Sequence, residues 1–211
     1  MHLVRRVCRP LRQESHPLFV QRVKMKLTQI SIIYFVAVIF IAHFFVPSEY
    51  YWTRNTVSDL SAQGLKYQWI MQAGFIGFGL LLNVGFIQKF IAAQKVSYPD
   101  LFIMLYGFAI LLSGFFSTEP FIAGVKYSAQ ESNLHSMFAT IAGISFSIGI
   151  FYRMVIATSP AERWEHAIFF MLVIGSSLLF GLSENNILPI GKGIIQRTLY
   201  LVSFIWLFIS L

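Results

Sequence analysis

Three ionisable residues stand out in this chain by type. Asp59, Glu119 and His135 would together supply two carboxylates and an imidazole. Such a set suits a divalent metal ion, or a general base steadied by an acid. The spacing is less telling than the types: there is no HxxxH, HExxH or paired-acid pattern, and no serine sits in a nucleophile elbow. Arg197 joins them, and an arginine beside an acid and a histidine equally suits an anionic lipid headgroup. Asn55 and Ser58 flank Asp59 in the run Asn55-Thr56-Val57-Ser58-Asp59-Leu60-Ser61 and complete the candidate ligand-binding set.

Each of these residues also has a plainer reading. Asn55 is placed to cap a short interfacial helix ending at Gly64, with Ser58 and Asp59 in its first turn, where negative charge suits the helix dipole. Glu119 precedes Pro120, which disfavours helical geometry, so it marks the end of the third helix. His135 opens the fourth helix, where a lone histidine is commonly interfacial or hydrogen-bonded. Arg197 lies in an otherwise uncharged segment and is expected to seek a carboxylate, Asp59 or Glu119, or else to snorkel to the headgroups.

The elements that must position these groups are apolar. Of 211 residues, 56% are hydrophobic and 17% aromatic. Only 12% are charged, against about 25% in soluble domains. Six apolar runs cover approximately 27–46, 69–88, 101–116, 135–152, 166–183 and 194–211. Runs of this length cross a hydrocarbon core of about 30 Å as helices, which satisfy their own backbone groups. The expected fold class is therefore all-α: a polytopic integral membrane protein built as a six-transmembrane-helix bundle. A soluble enzyme and a nucleic-acid binder are both disfavoured. Pro47, Pro99, Pro120, Pro160 and Pro189 fall at or near the ends of runs, where a missing amide donor is tolerated. Ala73 and Gly77, then Ala139, Gly143 and Ser147, then Ser177 and Gly181 are spaced as helix-packing seams.

The formal net charge is +7, from sixteen Lys and Arg against nine Asp and Glu. Seven of the sixteen (Arg5, Arg6, Arg9, Arg12, Arg22, Lys24 and Lys26) precede the first run, so the excess reads as a topology signal. The division is then a basic tail at 1–26 and a transmembrane domain at 27–211. Met25 is an alternative start; a basic arm on anionic lipid or an Arg-rich targeting peptide are the competing readings of the tail. Cys8 is the single cysteine, so neither an intrachain disulfide nor a cysteine-based metal site is expected.

With the tail inside, Lys89, Lys95, Arg153 and Arg163 bring the inner count to eleven basic residues against five outside. A start at Met25 would reduce that inner count to five and remove the bias. Both termini are expected to be cytoplasmic. The connections at 47–68, 117–134 and 184–193 then share the outer face and carry the dense polar motifs. The inner connections read as carrying ordinary surface charge, and Glu165 and His166 as surface residues. Trp52, Trp69, Trp164, Tyr50, Tyr51 and Tyr67 lie at run ends as an aromatic belt.

At this point the chain resembles the DUF998 family of bacterial and archaeal multi-pass membrane proteins of uncharacterised function. The run from Asn55 to Ser61 is similar to the family's motif after its first helix. Phe116-Ser117-Thr118-Glu119 with His135 beyond it resembles the second, departing by Ser117 for proline and Glu119 for aspartate. Gly193-Ile194-Ile195-Gln196-Arg197 and Trp206 resemble the final-helix pattern. The resemblance implies six membrane helices and a grouping of Asp59, Glu119, His135 and Arg197, but imports no activity.

The functional expectation is a bacterial inner-membrane protein with a polar pocket at its non-cytoplasmic face that binds or moves a small or lipid-like ligand. A membrane-embedded hydrolase using Asp59, Glu119 and His135 is the alternative, and a structural or assembly subunit the third. The expected partners are membrane lipid, a headgroup or a small molecule, with no nucleic acid and no cofactor.

Overall fold

The computed structural model describes residues 26–185 and 187–210. Residues 1–25 of the tail, with the start at Met25 and Cys8, lie outside them. Among the described residues there are six α-helices and no strand: α1 Leu27–Ala42, α2 Gln68–Ala93, α3 Tyr98–Ser113, α4 Ala129–Ile156, α5 Pro160–Glu184 and α6 Lys192–Ser210. Two 3-10 turns, His43–Phe45 and Ser58–Ser61, punctuate the first connection. Five of the helices are long and apolar enough to cross a membrane, and α3 is a shorter apolar helix of 16 residues. The all-α bundle read from the apolar runs is therefore the observed one.

Local sequence explains several boundaries. Ser128-Ala129-Gln130-Glu131 and Ser159-Pro160-Ala161-Glu162 both begin helices with a serine whose hydroxyl accepts the N–H of the residue three positions on, at 3.3 and 3.2 Å. Because these caps set the starts, α4 and α5 begin about six residues before their apolar runs. In α3 the first turn contains Pro99, where no amide donor is needed. It ends at Ser113, three residues before the expected end. Helix α2 stops at Gln94, whose φ of 47° is left-handed.

Each helix packs on its neighbours in sequence, and α6 returns to α1. The centre is aromatic. Phe35 lies 5.0 Å from Phe78 and 5.6 Å from both Tyr200 and Phe204, centroid to centroid, in geometries that suit ring quadrupoles. Phe146 meets the fully buried Trp206 edge-on at 5.4 Å. Of the small-residue seams, the one in α2 is used: the Tyr34 hydroxyl donates to the Ala73 carbonyl at 2.8 Å, over Gly77. In the α4 and α5 seams the glycines are not at a close approach among the described residues. A Cβ added at Gly143 or Gly181 would meet nothing within 4 Å.

The other end of the bundle corrects the expectation of ordinary surface charge. Asp100, 1% exposed, accepts from Lys89 Nζ at 2.7 Å and from the Arg153 guanidinium. These residues join α2, α3 and α4. Nearby on α5, His166 is half-buried and its Nδ1 accepts the indole N–H of Trp206 at 3.2 Å. Glu165 accepts from the Ser210 hydroxyl at 3.1 Å. Neither is a plain surface residue.

Candidate functional site

The three polar connections meet at one end of the bundle. Gln63 is the hub of the first two: its N–H donates to Thr118 O at 3.0 Å, and its amide donates to Ser117 O and Ser128 O. The first and third meet through backbone bonds from Gly193 to Arg54 O and from Ile194 to Thr53 O. Gln196 accepts the Val57 N–H at 2.6 Å and donates to Ser58 Oγ at 3.4 Å. Thr118 Oγ1 donates to Ser58 O.

Asp59 is 8% exposed and works first as a backbone cap. Its Oδ2 accepts the Thr56 N–H at 2.8 Å, while its own N–H donates to Thr56 Oγ1 at 3.0 Å. This reciprocal pair is the logic of a capping box. Thr56 thus takes the role expected of Asn55. Asn55 instead accepts the Tyr51 N–H at 2.9 Å and donates to Asp59 Oδ2 at 3.4 Å. The expected helix reaching Gly64 is one 3-10 turn ending at Ser61, with Ala62 already extended. Burial pushes the Asp59 carboxyl above its ordinary value, against the pull of the Thr56 N–H and the charge of Lys192.

His135, 3% exposed, lies inside α4 rather than at its start. Its Nδ1 is 2.9 Å from both Ser113 O and Phe116 O, carbonyls left over where α3 ends. Carbonyls only accept, so Nδ1 carries the hydrogen and Nε2 keeps a lone pair. Among the described residues Nε2 has no hydrogen-bond partner. Asp59 is near enough for its charge to act on this ring.

Glu119 stands apart. It is exposed, its carboxylate accepts from the Tyr127 hydroxyl at 3.4 Å, and its N–H donates to Ser132 Oγ. It also lies six residues past the end of α3 and so does not mark that end. Among the described residues no group of three or more His, Cys, Asp and Glu side chains is placed to hold a metal ion. The Asp59, Glu119 and His135 set is therefore not brought together as ligands.

Among the described residues Arg197 does not find a carboxylate. Its Nη1 donates to the carbonyls of Trp52, Asn55 and Gly193, at 2.7, 2.9 and 3.0 Å. Its Nη2 donates to the Tyr50 hydroxyl at 2.6 Å and to His43 Nε2 at 3.1 Å. Carbonyl oxygens carry enough partial charge to hold a guanidinium, and five donors in a fork can reach them together. Burial drives the Tyr50 phenol up to about 12, although the Arg197 charge pulls the other way.

Glu131 is the neighbour that residue types alone did not single out. Its Oε1 accepts the Ser117 N–H at 2.8 Å, and Gln72 donates to Ser117 Oγ at 3.0 Å. Two signals point to Glu131: it follows the cap Ser128 by three, and it precedes His135 by four, which puts both on one helix face. Nothing in the sequence marks His43 and Tyr50 as the partners of Arg197.

Chemically, this end offers an arginine whose two terminal nitrogens are fully engaged, a buried capping carboxylate and an imidazole with a fixed tautomer. No curated protein matches the chain, and no solved structure does. A family model does: protein of unknown function (DUF998) matches residues 30–211, so the chain belongs to the DUF998 family.

Proposed function

We propose that this membrane protein binds or moves a small or lipid-like ligand at the polar end of its bundle. The excess of basic residues before α1 supports placing that end at the non-cytoplasmic face, with both termini cytoplasmic, in what we take to be a bacterial inner membrane. One observation carries the reading: His135, 3% exposed, spends Nδ1–H on two α3 carbonyls and keeps Nε2 unpartnered. An acceptor that the fold leaves unpartnered on a buried residue is where a ligand donor adds a hydrogen bond.

A membrane-embedded hydrolase is the second reading, favoured by the same fixed tautomer, which suits Nε2 to act as a general base. Mass spectrometry of molecules that co-purify in mild detergent, from wild type and from His135→Ala at matched folded yield, separates the outcomes. The ligand reading expects one specific molecule near stoichiometry, retained roughly tenfold less by the variant, as loss of one buried hydrogen bond implies. Stoichiometric zinc would favour the hydrolase. Nothing above detergent background in either sample would leave a structural or assembly subunit.

A further inference from the structure

Resting on that ligand reading, we infer that the group this end of the bundle takes is a protonated amine, held by Asp59 and His135. The argument is an inventory of spent and unspent hydrogen-bonding atoms. Arg197 gives the four hydrogens of its terminal nitrogens to three carbonyls, a phenol and an imidazole. An anion would reach it only through Nε, without the two-pronged grip that makes arginine a phosphate binder. Lys192, the cation whose charge acts on Asp59, pairs with Glu184 at 3.2 Å.

Two acceptors at the same end are unspent. Asp59 takes both of its side-chain donors, Thr56 N–H and Asn55 Nδ2, on Oδ2, which leaves Oδ1 without a partner among the described residues. His135 leaves Nε2 in the same state. Both side chains are more than nine-tenths buried, at 8% and 3% exposure. Neither atom is sealed from space: the sealed and unpartnered side-chain atoms among the described residues are Thr28 Oγ1 and Arg153 Nε. A buried carboxylate oxygen and an imidazole lone pair, neither of them sealed, complement a group that is positive and rich in N–H. A primary ammonium is such a group, whether it belongs to a lipid headgroup or to a free small amine. Glu131 adds a second negative charge to the network through Ser117.

The test uses full-length protein with 15N-labelled histidine in phosphatidylglycerol nanodiscs, the His135 signal being assigned with His135→Gln. Ethanolammonium, phosphatidylethanolamine mixed into the disc, inorganic phosphate and Zn2+ are presented separately. The expected result is that an amine moves the His135 Nε2 resonance, and that Asp59→Asn weakens the response roughly tenfold or more. A response only to the phospholipid identifies a headgroup site, and a response only to the free amine a soluble ligand; each supports the inference. Movement with phosphate or Zn2+ but not with amines overturns it, as does silence to all four. The wild-type titration decides this even where the variants fold poorly. An anionic or neutral molecule found by the co-purification experiment would sink the amine while leaving the ligand reading intact.

Discussion

His43 Nε2 lies 3.1 Å from Arg197 Nη2, joining the end of α1 to α6 across 154 positions of sequence. Arginine keeps its hydrogens, so His43 must accept with Nε2 and carry its proton on Nδ1, which lies 2.7 Å from Ile39 O. Nitrogen chemical shifts should therefore show the neutral Nδ1–H tautomer of His43. Arg197→Lys removes the fork and strands several of its five acceptors, and should cost about 2–3 kcal/mol of stability. Thermal unfolding in detergent measures this, and an unchanged midpoint would contradict the tie.

Asp59 makes a prediction about pH. Burial raises its carboxyl above 3.8, the ordinary value, so the folded state holds this proton more tightly than the unfolded chain. Its contribution to stability is fully present below 3.8 and is lost as pH rises through the raised folded value. Wild type should gain on Asp59→Asn as pH falls from neutral towards that range. Unfolding midpoints of the two proteins across pH check the sign; a difference that stays flat or shrinks on acidification refutes it.

The buried ion cluster at the opposite end predicts an asymmetry. Lys89 is 46% exposed and Arg153 only 20%, although both pair with Asp100. An exposed partner contributes about 0–1 kcal/mol, whereas breaking a buried pair costs up to about 3–5 kcal/mol. Asp100→Ala and Arg153→Ala should thus destabilise far more than Lys89→Ala, and the first two should couple strongly in a double-mutant cycle. Equal effects from Lys89 and Arg153 would argue against this geometry.

Two glycines on different helices should behave oppositely. A Cβ at Gly79 would come within 2.8 Å of the Leu111 backbone nitrogen, where α2 and α3 approach closely. Gly79→Ala must push these helices apart, at about 1–3 kcal/mol. At Gly143 there is nothing within 4 Å, so Gly143→Ala should be neutral or stabilise by up to about 1 kcal/mol. Folded yield and unfolding midpoint distinguish the pair.

The six helices were legible because lipid leaves so few ways to satisfy a backbone: long apolar runs divided by proline and polar stretches can only be helices there. The starts of α4 and α5 were also written locally, in Ser128 with Glu131 and Ser159 with Glu162. The meeting of the three polar connections followed from alternating helix direction. Individual roles did not follow. Asn55 and Thr56 are both plausible caps, and only the backbone path selects Thr56.

By itself, then, the sequence determined a membrane-embedded bundle and the end at which its polar minority gathers, since hydrophobic length and chain direction act locally. Tertiary structure alone decided who pairs with whom. Helices surrounded by lipid are apolar on every side, so their periodicity does not reveal which face turns inward. The partners of Arg197 are largely main-chain carbonyls, which no residue type announces. Asp100 looked like one more loop charge until packing of α2, α3 and α4 enclosed it, and Glu119 looked like a ligand until its loop carried it out to Tyr127.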